Sequence, residues 1–288
     1  MLLVVDGNWL FNRAAHTAEQ PHQIAWSLVS MACADAVYCK ADSMLVAFDG
    51  PRGFRYDLWP LYKIQRKGVV LTKEQMREAL KSRSRAKAMA SAAPQKPREI
   101  YQYLPLVQHY LTELGIKWVQ YPELEADDVL SSAAHQLQTK LVLSAPDKDI
   151  YQCLTKNNVR ILSTKYEGGK MKRTYITAKK VMERYAVRPD QMVDYQTLVG
   201  DSTDGILSVV GPKTAVQILQ KYDTLANAVK HEQQLKAEHK HLKLNAQLVR
   251  LRVDAQIPQD LSIVPNPSVR APKSYKELVS SMNRGSLF

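Results

Sequence analysis

Cysteine, histidine and long apolar runs are all scarce in this chain, and each shortage excludes something. The three cysteines, Cys33, Cys39 and Cys153, are odd in number and lack CxxC spacing, which argues against a disulfide framework or a cysteine zinc site and leaves buried thiols. No apolar run reaches the roughly 18 residues of a membrane helix. The opening MLLVVDGNWLFNRA places Asp6 where a signal peptide would stay apolar, so the expectation is a cytoplasmic protein with no membrane partner. The only cluster among the seven histidines, His231, His239 and His241, falls in a Lys- and Gln-rich helical stretch and reads as a solvated face, not a metal site.

Positive charge is abundant. The 288 residues carry a net charge of +12 and a pI near 9.5, which points to a polyanionic partner, nucleic acid first. With 45% hydrophobic and 24% charged residues, the chain can bury one large core, or one core with a smaller lobe.

Short runs rich in Val, Ile and Leu recur at Leu2 to Val5, Met44 to Phe48, Lys117 to Tyr121, Leu141 to Ser144 and Val159 to Leu162, mostly separated by segments of helical period. This alternation predicts an α/β fold with a mainly parallel central sheet flanked by helices. Residues 67 to 98 break the pattern with good helix formers and few large apolar residues. Lys67, Lys73, Arg77, Lys81, Arg83, Arg85, Lys87, Lys96 and Arg98 there face only Glu74 and Glu78, which suggests a protruding basic helical element. The expected organisation is an α/β core over 1–174, a helical lobe over 175–257 with caps or breakers at Thr177, Pro189, Gly211 and Asp223, and an extended tail over 258–288 that holds Pro258, Pro265, Pro267 and Pro272.

Carboxylates follow most of the predicted strands. Asp6 follows LLVV, Asp49 follows MLVAF, Glu125, Asp127 and Asp128 follow KWVQY, and Asp147 and Asp149 follow LVLS; Asp201 and Asp204 form a further pair in GDSTDG. Any one of these acids has a mundane reading as a cap or turn residue. Open α/β sheets, however, gather their sites outside the carboxyl ends of the strands. Converging acids repel one another unless protonated or bridged by cations. Hard divalent ions, Mg2+ or Mn2+, meet that need with oxygen ligands, and two of them could serve a phosphoryl displacement with water as nucleophile. The three-residue spacing of Glu125 and Asp128 suggests one shared face, with Asp127 pointing in a neighbouring direction.

These stretches resemble the 5′ nucleases, the family of phage flap endonucleases and exonucleases and of the 5′ nuclease domain of bacterial DNA polymerase I. The match runs from Leu2 to about Leu219 and is carried, in order, by VVDGNWL, AFDGPRGFRYDLWPLYKIQR, ELEADDVLSSAA, LSAPDKDIYQCL and LVGDSTDG followed by GPKTA. The resemblance implies a PIN-like nuclease core, a helical arch at the basic stretch, and a helix-hairpin-helix lobe. It also implies one metal site at Asp6, Asp49, Glu125 and Asp127 with Asp128 shared or nearby, and a second at Asp147, Asp149, Asp201 and Asp204. Lys63 and Arg66 match basic residues that reach the scissile phosphate, and their spacing suggests one helix face. Tyr62 matches an aromatic position suited to stacking on a base. In the arch, Arg77, Lys81, Arg83, Arg85 and Lys87 would meet phosphates, and in the hairpin Gly211, Lys213 and Thr214 would grip a duplex.

Two departures stand out. The turn before GPKTA is shorter, with SVV in place of a second Gly-containing turn, which puts a monovalent cation site there in doubt. Gly205 also replaces a polar neighbour of Asp204. The implied activity is a stand-alone, monomeric, structure-selective 5′-3′ exonuclease and flap endonuclease acting on branched or 5′-ended duplex DNA, and on RNA–DNA hybrids if RNase H activity is present. It would work beside replication proteins, in a phage setting, and 288 residues leave no room for a polymerase domain. The rivals are a non-catalytic branched-DNA-binding protein of the same fold, against which the full acid set speaks, and a PIN-class RNA nuclease, against which GPKTA speaks.

Overall fold

The computed structural model describes residues 1–94, 99–167 and 170–261. Lys96 and Arg98 of the expected arch and the tail from 262 onward lie outside the described residues.

Six strands form one sheet: β1 (Leu2–Asp6), β2 (Ser43–Phe48), β3 (Lys117–Gln120), β4 (Leu141–Ser144), β5 (Val159–Glu167) and β6 (Lys170–Ile176), in the order β3-β2-β1-β4-β5-β6. The first five are mutually parallel, and β6 runs antiparallel at the edge. Successive side chains of a strand point to opposite faces. Accordingly Leu2, Val4, Leu45, Ala47, Leu141 and Leu143 enter one core cluster, and Leu3, Val5, Met44, Val46, Phe48 and Val142 enter the other. A sheet buried on both faces explains why these strands read as unbroken apolar runs. The sixth strand, KMKRTYI, has no such run. Its antiparallel pairing carries the sheet to Ile176, so the expected lobe boundary after residue 174 falls inside β6.

Helices α1 (Gly7–Thr17) and α2 (Pro21–Cys39) cover one face. The chain then gives α3 (Phe54–Leu58), α4 (Lys73–Lys81), α5 (Arg83–Ala92), α6 (Leu104–Glu113) and α7 (Ala126–Gln136). After β6 come α8 (Ala178–Tyr185), α9 (Met192–Val199), α10 (Pro212–Tyr222), α11 (Leu225–His231), α12 (Gln233–Ala237) and α13 (His239–Val249). This second group is continuous with the opposite face: Val181, Leu198, Leu219 and Leu242 share a cluster with Leu2, Leu45 and Leu143. Thr177 and Gly211 cap α8 and α10, Pro189 opens a short 3-10 turn, and Asp223 ends α10.

The basic stretch is less detached than its composition suggests. Helix α4 starts with a capping box between Thr72 and Gln75. Met76, Ala79, Ala86 and Ala93 are buried against Trp59, Leu61, Ile206 and Leu248. The three cysteines are buried thiols, as expected. Of the three clustered histidines, His231 and His239 are exposed as expected, and His241 departs from that reading. His241 is nearly buried, with Nε2 2.9 Å from the Leu207 carbonyl, and His231 stacks on Tyr222 at 5.7 Å.

Candidate active site

The strand order reverses between β1 and β4, and loops leaving the carboxyl ends of the parallel strands meet there. A cleft of about 270 Å³ opens at this point, lined by seven of the nine acids singled out: Asp6, Asp49, Glu125, Asp127, Asp147, Asp149 and Asp204. Asp6 ends β1 and caps α1, its Oδ1 accepting from the Trp9 amide at 2.9 Å. Asp49, just past β2, is gripped by Asn8, whose Nδ2 donates to Oδ2 at 2.7 Å and whose Oδ1 accepts from the Asp49 amide at 2.9 Å. Its other oxygen accepts from the Ala126 amide at 2.9 Å and so ties β2 to the start of α7.

Crowding shows in the proton affinities. Burial, then Asp49 and Asp147, push Asp6 up to about 7, and burial, then Asp147 and Asp204, push Asp149 up to about 8. Asp127 is raised well above the carboxylate range by burial and by Asp6, Asp147 and Asp149, and its Oδ1 is buried without a hydrogen-bond partner. Cations of the chain stand beside the other acids. Lys63 Nζ contacts Glu125, and Arg66 lies 3.4 Å from Asp204. Burial alone would favour neutral Lys63, but Glu125 and Asp204 outweigh it and hold the ammonium charged. Among the described residues, no three acidic side chains already enclose a common point, so the cleft is a set of facing oxygens without a closed cage.

Two expected ligands are used elsewhere. Asp128 is fully buried and forms a bidentate pair with Arg55, Nη1 and Nη2 each at 2.8 Å, while also accepting from the Arg252 and Glu125 amides. Its partner Arg55, 1% exposed, also reaches Glu125 Oε2 at 3.1 Å and the Leu248 carbonyl at 2.8 Å. Glu125 and Asp128 therefore do share a side, that of Arg55, but Glu125 and Asp127 line the cleft and Asp128 does not. Asp201 caps its own turn: Oδ1 accepts from the Thr203 and Asp204 amides at 2.8 and 3.3 Å, and Oδ2 pairs with Lys148. Burial raises its pKa, but Lys148 and these amides outweigh burial and leave it below the usual range.

Lys63 and Arg66 both line the cleft, though not as neighbours on an α-helix. Lys63 has φ of +53° and precedes a 3-10 turn, Ile64–Lys67, and its amide donates to the Asp204 carbonyl at 2.8 Å. Gly205 closes this seat: its φ is +70°, and a Cβ there would stand 2.4 Å from the Leu61 carbonyl oxygen. Tyr62 corrects the stacking expectation. Its ring is buried and its hydroxyl donates to Glu125 Oε2 at 3.0 Å. The exposed ring is Tyr56, 37% accessible, packed edge-on against Tyr62 at 5.3 Å.

The proposed duplex and arch contacts lie away from the cleft lining. Arg77 and Lys87 are exposed, Lys81 and Arg85 pair with Glu78 at 2.8 and 2.9 Å, and Arg83 bonds the Asp57 carbonyl. Gly211, Lys213 and Thr214 are exposed at the start of α10, which has no side-chain cap. The sequence reading missed Arg55, Asn8, Trp9 and Tyr101, all lining the cleft, and the exposed Tyr56 beside Tyr62. No local signal marks Arg55: it is the one buried residue of α3, between the half-buried Phe54 and the exposed Tyr56 and Asp57, and its acidic partners lie 70 and 73 residues away.

Comparison with known proteins gives a consistent picture. A family model described as 5′-3′ exonuclease, N-terminal resolvase-like domain, matches residues 1–186, and one described as 5′-3′ exonuclease, C-terminal SAM fold, matches residues 187–270. The chain is 31% identical over 183 residues to a 5′-3′ exonuclease of Aquifex aeolicus, covering 59% of this chain and 61% of that one. It is 28% identical over 283 residues to the thermostable DNA polymerase I of Thermus aquaticus, covering 91% of this chain and 30% of the polymerase. The chain thus spans less than two thirds of either relative. The fold matches that of the T5 D15 protein co-crystallised with metal ions, with a TM-score of 0.64 at 20% identity over 97% of this chain and 98% of that one. A T5 5′-exonuclease with bound zinc matches at a TM-score of 0.63, also at 20% identity and with the same coverage.

Proposed function

The chain belongs to the 5′-3′ exonuclease family, and from that premise we propose that it is a divalent-metal-dependent, structure-selective 5′ nuclease that hydrolyses phosphodiester bonds at 5′ ends and 5′ flaps. The observation that carries this reading is the convergence of seven acids from separate chain segments on one cleft beside Lys63 and Arg66. The donor set is all carboxylate oxygen, the chemistry that Mg2+ or Mn2+ prefers. The buried, unpartnered Oδ1 of Asp127 and the elevated proton affinity of Asp6 and Asp149 fit a cluster built to share cations. Asp6, Asp49, Glu125, Asp127, Asp147, Asp149 and Asp204 would hold two ions. When bound, these would supply Lewis acidity at the phosphate and a more acidic water.

The protein's own groups do the rest. Lys63 and Arg66 present charge to the phosphate as negative charge develops on it. Asn8 and the Ala126 amide fix Asp49, Arg55 and Tyr62 fix Glu125, and Asp201 sets the turn that carries Asp204. Tyr56, exposed and packed edge-on against the cleft-lining Tyr62, offers a face to an unpaired base. Lys and Arg contacts to phosphate engage neither base nor sugar 2′-OH, so RNA–DNA primers belong to the proposed substrates, and replication or repair of DNA, in a phage setting, to the proposed role. The proposal also includes cytoplasmic action as a monomer; among the described residues no helix is long and apolar enough to cross a membrane.

The test is product analysis on matched 5′-flap, 5′-recessed and blunt duplexes in Mg2+. Preferential cutting at the flap junction or 5′ end with 5′-phosphate products supports the reading. Tight flap binding without cutting in either Mg2+ or Mn2+ would favour the branched-DNA-binding alternative.

A further inference from the structure

Beside the acidic cleft lies a second hollow of about 340 Å³ that shares Arg66, Asp147 and Asp204 with it and adds Lys148, Arg184 and the rings of Tyr151 and Tyr185. We propose that this hollow binds the backbone phosphate adjoining the one that is cut; the inference rests on the 5′ nuclease reading above.

The hollow is contiguous with the cleft. Neighbouring phosphates of one strand are separated by about 3.4 Å of helix axis, so a strand with one phosphate at the acids must set the next against an adjacent wall. The cations of the hollow differ in how they are paired. Arg66 and Lys148 are each held by an acid, at 3.4 Å from Asp204 and 2.5 Å from Asp201. Arg184 is exposed, and among the described residues no carboxylate pairs with it; its guanidinium lies 5.3 Å from the Tyr185 ring centre. Tyr185 is itself fixed edge-on between Tyr151 at 6.1 Å and Tyr195 at 5.8 Å, so the platform under Arg184 is packed.

Three acids also line the hollow, but two are already matched by Lys148 and Arg66, and Asp147 is shared with the cation-binding cleft. Asp204 is shared with that cleft as well, so once the cleft holds its ions Arg184, joined by Arg66, is surplus positive charge, and an anion is the complementary ligand. A phosphate entering here competes with Asp201 for Lys148, which makes Lys148 a tethered cation that substrate can recruit. The sequence shows none of this, because Lys148 sits inside the acid motif and Arg184 ends a helix of the other lobe.

The experiment measures binding of a 5′-flap duplex in Ca2+ across a salt series, with intact substrate checked on a gel, and steady-state cleavage in Mg2+. It compares wild type, Arg184→Ala, Lys148→Met and Lys179→Ala, the last removing an exposed charge from the same helix. Arg184→Ala and Lys148→Met should each bind about tenfold more weakly at moderate salt and lower the salt slope by about one. KM should rise more than kcat falls, and Lys179→Ala should match wild type. Arg184→Ala stands on a surface position, so its result decides the matter even if Lys148→Met folds poorly. Wild type that binds and cuts flaps, with Arg184→Ala unchanged in slope and KM, would overturn the phosphate site and leave the nuclease reading intact. An equal loss in Lys179→Ala would overturn it as a general charge effect. Wild type that neither binds nor cuts would overturn the nuclease reading, and this inference with it.

Discussion

Replacing Asp128 by Asn should cost several kcal/mol of stability while leaving the divalent-ion dependence of cleavage in place. Asp128 is 0% exposed and meets Arg55, itself 1% exposed, through two bonds of 2.8 Å. The substitution leaves a buried guanidinium with only the Glu125 contact at 3.1 Å to balance its charge. Removing one partner of a buried, hydrogen-bonded ion pair typically costs about 3–5 kcal/mol, because the remaining charge stays desolvated. For a chain of this size, at about 2–4 °C per kcal/mol, the melting temperature should fall by roughly 6–20 °C. Thermal unfolding followed by circular dichroism, with and without Mg2+, gives the shift, and a Mg2+ titration of cleavage well below the melting temperature gives the ion dependence. A melting temperature within a degree or two of wild type, together with a much weaker response to Mg2+, would refute this account and restore Asp128 as a ligand.

Other outcomes are expected from the same geometry. Without divalent ions, stability should fall as pH rises from about 5 to 8: Asp6 and Asp149 bind protons more tightly when folded, with values near 7 and 8 against 3.8 in the unfolded chain, so their stabilisation is full below the unfolded value and lost through the folded ones. Melting curves in chelator at four pH values check this, and Mg2+ should flatten the slope. Lys63→Ala and Arg66→Ala should each lower single-turnover cleavage by roughly 10²–10³-fold, with smaller effects on flap affinity. Tyr56→Ala should weaken stacking of a fluorescent base beside the cut by roughly 5- to 150-fold, while Tyr62→Phe, which keeps its buried ring, should leave that signal in place. Gly205→Ala should destabilise by about 1–3 kcal/mol, read by denaturant unfolding, because its backbone has φ of +70° beside the Leu61 carbonyl.

The parallel strands were legible because burial on both faces writes itself as an apolar run, and the acids were legible because they follow those runs. Strand β6 was not, since an edge strand such as KMKRTYI needs no continuous apolar side. Spacing also could not tell Asp127 from Asp128. The α7 wheel starts only after Glu125, which has extended backbone, and the deciding partner Arg55 lies 73 residues from Asp128 in sequence. Lys63 and Arg66 misled for a similar local reason: a left-handed residue at Lys63 breaks the helical register that their spacing suggested. Tyr62 and His241 were misjudged because their burial is created by contacts with Glu125 and Leu207, distant in the chain.

The central claim is that the seven-acid cleft cuts phosphodiesters through divalent ions, and it is tested most directly by single-turnover cleavage of a 5′-flap duplex in Mg2+, in chelator, and with Asp127→Asn. The account predicts cleavage in Mg2+, its loss in chelator with recovery on adding Mg2+ back, and a fall of several orders of magnitude in the folded Asp127→Asn protein. Cleavage that persists in chelator, or an Asp127→Asn protein that cuts at the wild-type rate, would contradict it.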